Sequence, residues 1–310
     1  MKNTTKGYLS AVSAALLWAS CGTFGKALFN SGMSPFVLVQ TRVTLAALTI
    51  ALWLALTRPR LLLIRPRDVA YFLLFGGVFM SLMQLAYFMA ISKIQVAAAI
   101  LIQYLAPVLV AVFAMAFWNE RASFVKIAAL SLSVTGCYLV AGGYDMDLLS
   151  MNRPGILWAL ASAVGFAAST LLGERSMHRH NPWTSLTYAL VFSSISLNLV
   201  HRPLAIIGQS LGATVWAAIV YIVIFGTLVP FGLYLVAIDT IRSTRTIITS
   251  TLEPIAAAFL AFILLGESLS FLQAGGGLMV IAAIILLSLQ REKDSLAPEA
   301  IRSGSTGRVG

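Results

Sequence analysis

Residues 87–124 read YFMAISKIQVAAAILIQYLAPVLVAVFAMAFWNERASF, and residues 234–271 read YLVAIDTIRSTRTIITSTLEPIAAAFLAFILLGESLSF. At a constant offset of 147, Tyr87, Ala90 and Ile91 match Tyr234, Ala237 and Ile238. Leu105 and Pro107 match Leu252 and Pro254, and Glu120-x-x-Ser123-Phe124 matches Glu267-x-x-Ser270-Phe271. Pro35 pairs with Pro182 at the same offset, while at 148 Gly7, Ala11 and Trp18 pair with Gly155, Ala159 and Phe166. Self-similarity at one fixed spacing marks a repeat architecture. The chain is therefore expected to be two copies of one unit, at 7–142 and 154–290.

Each unit holds five apolar runs. The ten lie at about 7–29, 35–56, 68–91, 95–118, 122–142, 154–175, 182–201, 213–238, 243–265 and 270–290. Of 310 residues, 59% are hydrophobic and 10% charged, and mean hydropathy is +0.90. A soluble domain carries about 25% charged residues, so this composition excludes one. Runs of about 20 apolar residues fit the hydrocarbon core of a bilayer, which predicts an all-α integral membrane protein of ten transmembrane helices. Beyond Arg291 the polar tail 291–310, with Pro298, Gly304 and Gly307, is expected to be disordered. Cys21 and Cys137 both sit in apolar runs and form neither a disulfide framework nor a Cys-rich metal site.

Net charge is +10, but the basic residues occupy short gaps between apolar runs instead of one stripe. That is how membrane topology is written, and it argues against nucleic acid. On one side fall Lys2, Lys6, Arg58, Arg60, Arg65, Arg67, Arg121, Lys126, Arg175, Arg179, Arg242, Arg245, Arg291, Lys293, Arg302 and Arg308. The other side holds Lys26, Lys93, Arg153 and Arg202. Sixteen against four places the first side, and both termini, in the cytoplasm. Five runs per unit is an odd number, so the second unit enters from the opposite face and the repeats are inverted. The first run has the outline of a signal peptide, but Trp18 before Cys21 and the nine further runs favour an uncleaved span.

No phosphate-cradling G-x-x-x-x-G-K-[ST] loop, His-Glu-x-x-His helix or Gly-x-Ser-x-Gly elbow occurs, so no catalytic constellation, metal site or cofactor is predicted. Pro107 and Pro254 fall mid-run at matched places. Each is either a static kink or a hinge, and interruptions at matched sites point toward a substrate site. Gly226, Pro230 and Gly232 in run eight have no evident mate in run three and are expected to be local kinks. Gly136 and Gly275, Gly276 and Gly277 permit close helix packing. Arg42 and Glu253 lie inside apolar runs, where a charge costs about 2.5–3.5 kcal/mol on insertion scales. Each is open to two readings, a structural counter-ion or a group that recognises solute. Arg42 is assigned to structure and Glu253 to the site. Trp18, Ser81, Gln84, Tyr87, Gln103, Tyr104, Phe166, Thr170, Tyr188 and Tyr234 cluster at similar depth, with Met80 on the helix face of Gln84 and Tyr87, and suggest an amphipathic substrate pocket of rings and amides. Trp53, Trp118, Trp183 and Trp216 sit near run ends, as anchors of an aromatic belt.

Ala15-Leu16-Leu17-Trp18, Lys26, Ser34-Pro35, Arg42 and the doubled Pro-x(12)-Glu at Pro107/Glu120 and Pro254/Glu267 together resemble the ten-span EamA-type members of the drug/metabolite transporter superfamily. The resemblance covers residues 7–290. Gln103-Tyr104-Leu105-Ala106-Pro107 looks like the span-four segment of YddG-type amino-acid exporters, with Ala106 where an aromatic commonly stands and Phe166 where a tryptophan is familiar. The resemblance implies an inner-membrane exporter with a central cavity, lined by spans other than five and ten, that moves amino acids or related metabolites by alternating access. A multidrug or organic-cation exporter is the alternative within transport, with Glu253 among rings as the cation attractor. An intramembrane enzyme or receptor is disfavoured because no catalytic set or signalling domain is present.

Overall fold

The computed structural model describes residues 2–30, 32–94, 96–118, 123–141, 144, 152–202, 204–207, 211–265, 270–289 and 298. Among these there is no strand. The helices are α1 (Lys2–Asn30), α2 (Pro35–Thr57), α3 (Pro66–Phe72), α4 (Ser81–Lys93), α5 (Val96–Gln103), α6 (Ala106–Phe117) and α7 (Phe124–Val140). Then come α8 (Arg153–Met177), α9 (Pro182–Val200), α10 (Ala213–Val223), α11 (Val229–Thr249), α12 (Leu252–Leu265) and α13 (Phe271–Leu289). Pro35, Pro66 and Pro182 open their helices, where a missing N–H and a fixed φ cost nothing. Ser123, Asn152 and Asn181 cap theirs by accepting a backbone N–H. Ser270 and Gln273 bond each other's backbone N–H in a reciprocal cap.

Among the described residues, seven helical stretches are long and apolar enough to cross a membrane, and α7 is a shorter apolar helix. The outward faces are apolar: Phe124 is 85% and Phe271 is 99% exposed at the starts of α7 and α13. Such a surface suits lipid rather than water. This is a multi-pass, all-helical membrane protein. The tail beyond Leu289, apart from Pro298, lies outside the described residues, as do Glu120 and Glu267.

The packing obeys an exchange of the two halves. Helix α1 lies on α11 and α12, while its sequence mate α8 lies on α4 and α5. Helices α2 and α9 pack on each other, and so do α7 and α13. The exchange holds at single residues. A Cβ on Gly7 would meet Thr240 and Ile241 at 2.5 and 2.6 Å, and one on its mate Gly155 would meet Ile94 at 2.5 Å and Lys93 at 3.2 Å. Residues 93 and 94 are the sequence mates of 240 and 241. Where α7 crosses α13, Gly136 and Gly276 press on each other's backbone, each Cβ position 2.7 Å from the other's carbonyl oxygen. Close approach of this kind gives van der Waals contact that larger residues would prevent.

Three details depart from the sequence reading. First, Pro107 and Pro254 do not kink the middle of continuous helices. The chain turns at Tyr104–Leu105 and at Ser250–Thr251, and each proline falls in the first turn of the helix that follows, α6 or α12. An N–H there has no intrahelical partner in any case. Second, Gly226 is not a lone kink. The stretches Leu73–Met80 and Ile224–Leu228 are both π-helical, at matched places in the two halves. A hydroxyl donates to the carbonyl five residues back at both places, Ser81, just after the first stretch, to Gly76 at 3.1 Å and Thr227, within the second, to Ile222 at 3.0 Å. Such bulges leave carbonyls partly unpaired, and a hydroxyl on the same helix satisfies one of them. Third, the gap between runs eight and nine narrows to a single non-helical residue. Helix α11 bends at one residue, Arg242, with φ 69° and ψ 168°. A non-glycine residue there costs about 1–3 kcal/mol. Glu174, 1% exposed, holds the bend by accepting from Arg242 Nε at 3.0 Å and Ser243 N at 2.6 Å.

Candidate functional site

Helices from both halves border a small chamber of about 60 Å³. Its wall consists of Trp18, Cys21, Arg42, Met83, Gln84, Tyr87, Phe88, Gln103, Phe166, Gly226, Phe231 and Glu253. The π-helical segment carrying Gly226 brings its backbone against α1, where a Cβ would meet Cys21 Sγ at 2.5 Å. The irregular backbone thus lines a cavity instead of facing lipid.

One part of the wall is charged. Arg42, 4% exposed, donates from Nη2 to Gln84 Oε1 at 2.7 Å and stacks over the Phe88 ring at 4.3 Å. Nη1 lies 3.8 Å from Cys21 Sγ. Arg42 Nε and Gln84 Nε2 have no hydrogen-bond partner among the described residues. Glu253, 7% exposed, sits in the first turn of α12, where the positive end of the helix dipole favours a carboxylate. The hydroxyl of Tyr104 lies 2.8 Å from Glu253 Oε2 and 2.6 Å from the Ser250 carbonyl oxygen, bracing the carboxylate against the turn. Cys21 and Tyr87 lie within electrostatic reach of both charges, yet among the described residues no ion pair joins Arg42 to Glu253. Gln103 is tied down, its Nε2 donating to Ser162 Oγ at 2.6 Å, which in turn donates to the Met83 carbonyl at 3.1 Å.

The other part is aromatic. Trp18 meets Phe166 edge to face at a centroid separation of 6.2 Å, Phe231 at 5.0 Å and Tyr234 at 5.3 Å, and Phe166 lies 5.7 Å from Tyr234. Trp18 and Phe166 are sequence mates, so the contact between the halves is made here by equivalent positions. Tyr234 shares a hydrogen bond with Thr170 at 2.8 Å and, with Met80, lines a smaller adjoining cavity of about 20 Å³.

Of the residues singled out from sequence, Trp18, Gln84, Tyr87, Gln103, Phe166 and Glu253 share the chamber wall. Met80 and Tyr234 lie one layer away, and Tyr104 stands behind Glu253. Ser81 bonds Ser193 at 2.8 Å and ties α4 to α9, while Tyr188 reaches the Leu62 carbonyl near the connection after α2. Arg42, assigned to structure from sequence, stands in the chamber wall. Sequence reasoning missed Cys21, Met83, Phe88, Gly226 and Phe231. Phe88 was within reach, since it is four residues after Gln84 and so on the same helical stripe. The others depend on which face α1 and the π-helical turns present, and periodicity does not give that.

At one end of the bundle, Arg67, Asp68, Trp118, Glu174, Arg175, Arg179, His180 and Arg242 surround an open polar basin. They come from four different connections that the alternation of basic residues assigned to a single side. His180 Nε2 lies 3.3 Å from Asp68 Oδ2. Burial pushes the His180 imidazole below its usual value, partly offset by Asp68, while Arg179 and Arg65 add to the lowering.

Compared with known proteins, the chain matches the EamA-like transporter family at residues 5–142 and again at 153–289. It belongs to that family. An uncharacterized inner membrane transporter of Salmonella typhimurium, YicL, is 27% identical over 301 residues, covering 96% of this chain and 100% of its own. The uncharacterized transporter YxxF of Bacillus subtilis is 26% identical, covering 94% and 92%. The threonine/homoserine exporter RhtA of Escherichia coli is 27% identical over 222 residues, covering 70% of this chain and 69% of its own. A solved crystal structure shares the fold with a TM-score of 0.73 at 19% identity, covering 92% of this chain and 97% of that one. This EamA-family protein is a membrane transporter.

Proposed function

We propose that this EamA-family protein exports amino acids or related small metabolites across the inner membrane by alternating access through the central chamber. One observation carries the reading: the chamber is walled by both halves, with the mates Trp18 and Phe166 in edge-to-face contact. Halves that interchange conformations would open such a space first to one side and then to the other. In this reading 7–142 and 154–290 are inverted repeats, both termini are cytoplasmic, and 291–310 is a cytoplasmic tail. Substrate enters from the basin of basic residues. The relation to RhtA supports amino acids as the solute class. The organic-cation reading has one observation in its favour, Glu253 within a ring-lined chamber.

The test is counterflow in proteoliposomes holding only this protein, with no nucleotide. Labelled amino acids are expected to accumulate against preloaded unlabelled ones. Accumulation of tetraethylammonium alone would favour the cation reading, and accumulation of neither would defeat both.

A further inference from the structure

We infer that Arg42 and Glu253 are the two ends of a zwitterion site, Arg42 receiving the carboxylate of an α-amino acid and Glu253 its ammonium group. The inference rests on the exporter reading and names the solute class more narrowly. Two buried, opposite charges line one chamber without pairing to each other, and each is fixed from behind by a neutral partner. Gln84 Oε1 accepts from Arg42 at 2.7 Å, and Tyr104 braces Glu253 at 2.8 Å. Behind Arg42 the Phe88 ring covers one face of the guanidinium at 4.3 Å, which leaves the edge as its hydrogen-bonding side.

Two donors remain at that end, Arg42 Nε and Gln84 Nε2, both on residues more than nine-tenths buried and both unpartnered among the described residues. Donors left unsatisfied in a buried site are costly, and a carboxylate accepts two of them at once. A ligand with charges in the complementary order satisfies both ends together. A lone organic cation would add positive charge to a chamber that already holds Arg42, and a dicarboxylate would crowd Glu253. A side chain on the same solute then falls among the rings of Trp18 and Phe166. Neither charge is doubled by the repeat, because Ala189 and Ala106 hold the mated positions. The solute therefore has a defined polarity in a scaffold that is otherwise twofold.

The experiment screens the common amino acids by counterflow. It then ranks the best of them as competitor against its carboxamide, its N-acetyl derivative and tetraethylammonium. Wild type should prefer the free amino acid over each blocked form by about tenfold or more, the loss expected for a charge-assisted bond. Arg42→Gln should erase the preference over the carboxamide and keep the preference over the N-acetyl form, and Glu253→Gln should do the reverse. A folded Arg42→Gln protein with the wild-type ranking overturns the inference. So does a wild type that accepts the carboxamide as well as the acid, a result that needs no variant to fold. Counterflow of tetraethylammonium but of no amino acid overturns it while leaving an exporter, whereas no counterflow of any solute removes the exporter reading itself.

Discussion

Helices α6 and α12 begin in the same way and differ in one respect that matters. Each follows a two-residue turn and carries a proline in its first turn, but Ala106 stands before Pro107 and Glu253 before Pro254. The same holds in α2 and α9, where Arg42 has Ala189 as its mate. The repeated features are those that shape the backbone: glycines at crossings, prolines at half-helix starts, and π-helical bulges with a hydroxyl on the fifth carbonyl back. The unrepeated features are the charges in the chamber. The repeat builds the scaffold, and the departures from it place single charges in the chamber wall.

This comparison can be broken most completely by topology. Native Cys21 and Cys137 are buried, so single cysteines placed at Ser123 and Ser270 should be the reactive ones. If the halves are inverted, an impermeant thiol reagent should label them from opposite faces, and labelling from the same face would end that reading.

A graded effect comes next. Gly7→Val and Gly155→Val each drive a side chain into the other half, with first contacts at 2.5 Å. Each should cost about 1–3 kcal/mol by overpacking, and thermal unfolding of the purified variants should show losses of similar size. A large loss at one site and none at the other would show that the exchange of halves does not extend to their energetics.

The smallest expected effect lies outside the symmetry, at His180 beside Asp68. The folded protein lowers this imidazole's pKa, so its contribution is fully present above the unfolded value of about 6.5 and is lost as pH falls through the folded value. Wild type should lose thermal stability as pH drops below about 6.5, and His180→Gln should flatten that part of the slope. An unchanged slope in the variant would assign the pH dependence to other groups.

Part of this was legible in one dimension because its cause is local or periodic. Apolar runs of bilayer length set the helices, the runs opening at Pro35 and Pro182 set two helix starts, and the constant 147-residue offset exposed the internal repeat. The chamber was half legible. Gln84, Tyr87 and Gln103 were found from depth and spacing, since helical rise converts sequence position into depth. Ser81 and Tyr188 satisfied the same depth criterion but serve α4–α9 packing and the connection after α2, because depth does not say which way a side chain faces.

What the sequence by itself determined is the helical membrane class, the twofold division and the candidate polar residues, all of which follow from hydropathy and repetition along the chain. Only the tertiary structure decided that Arg42 faces the chamber, that Pro107 and Pro254 open half-helices, and that two π-helical bulges are mates. Rotation of a helix about its axis, and the place where its backbone leaves the regular ladder, are set by what packs against it. In this chain those neighbours come from the other half.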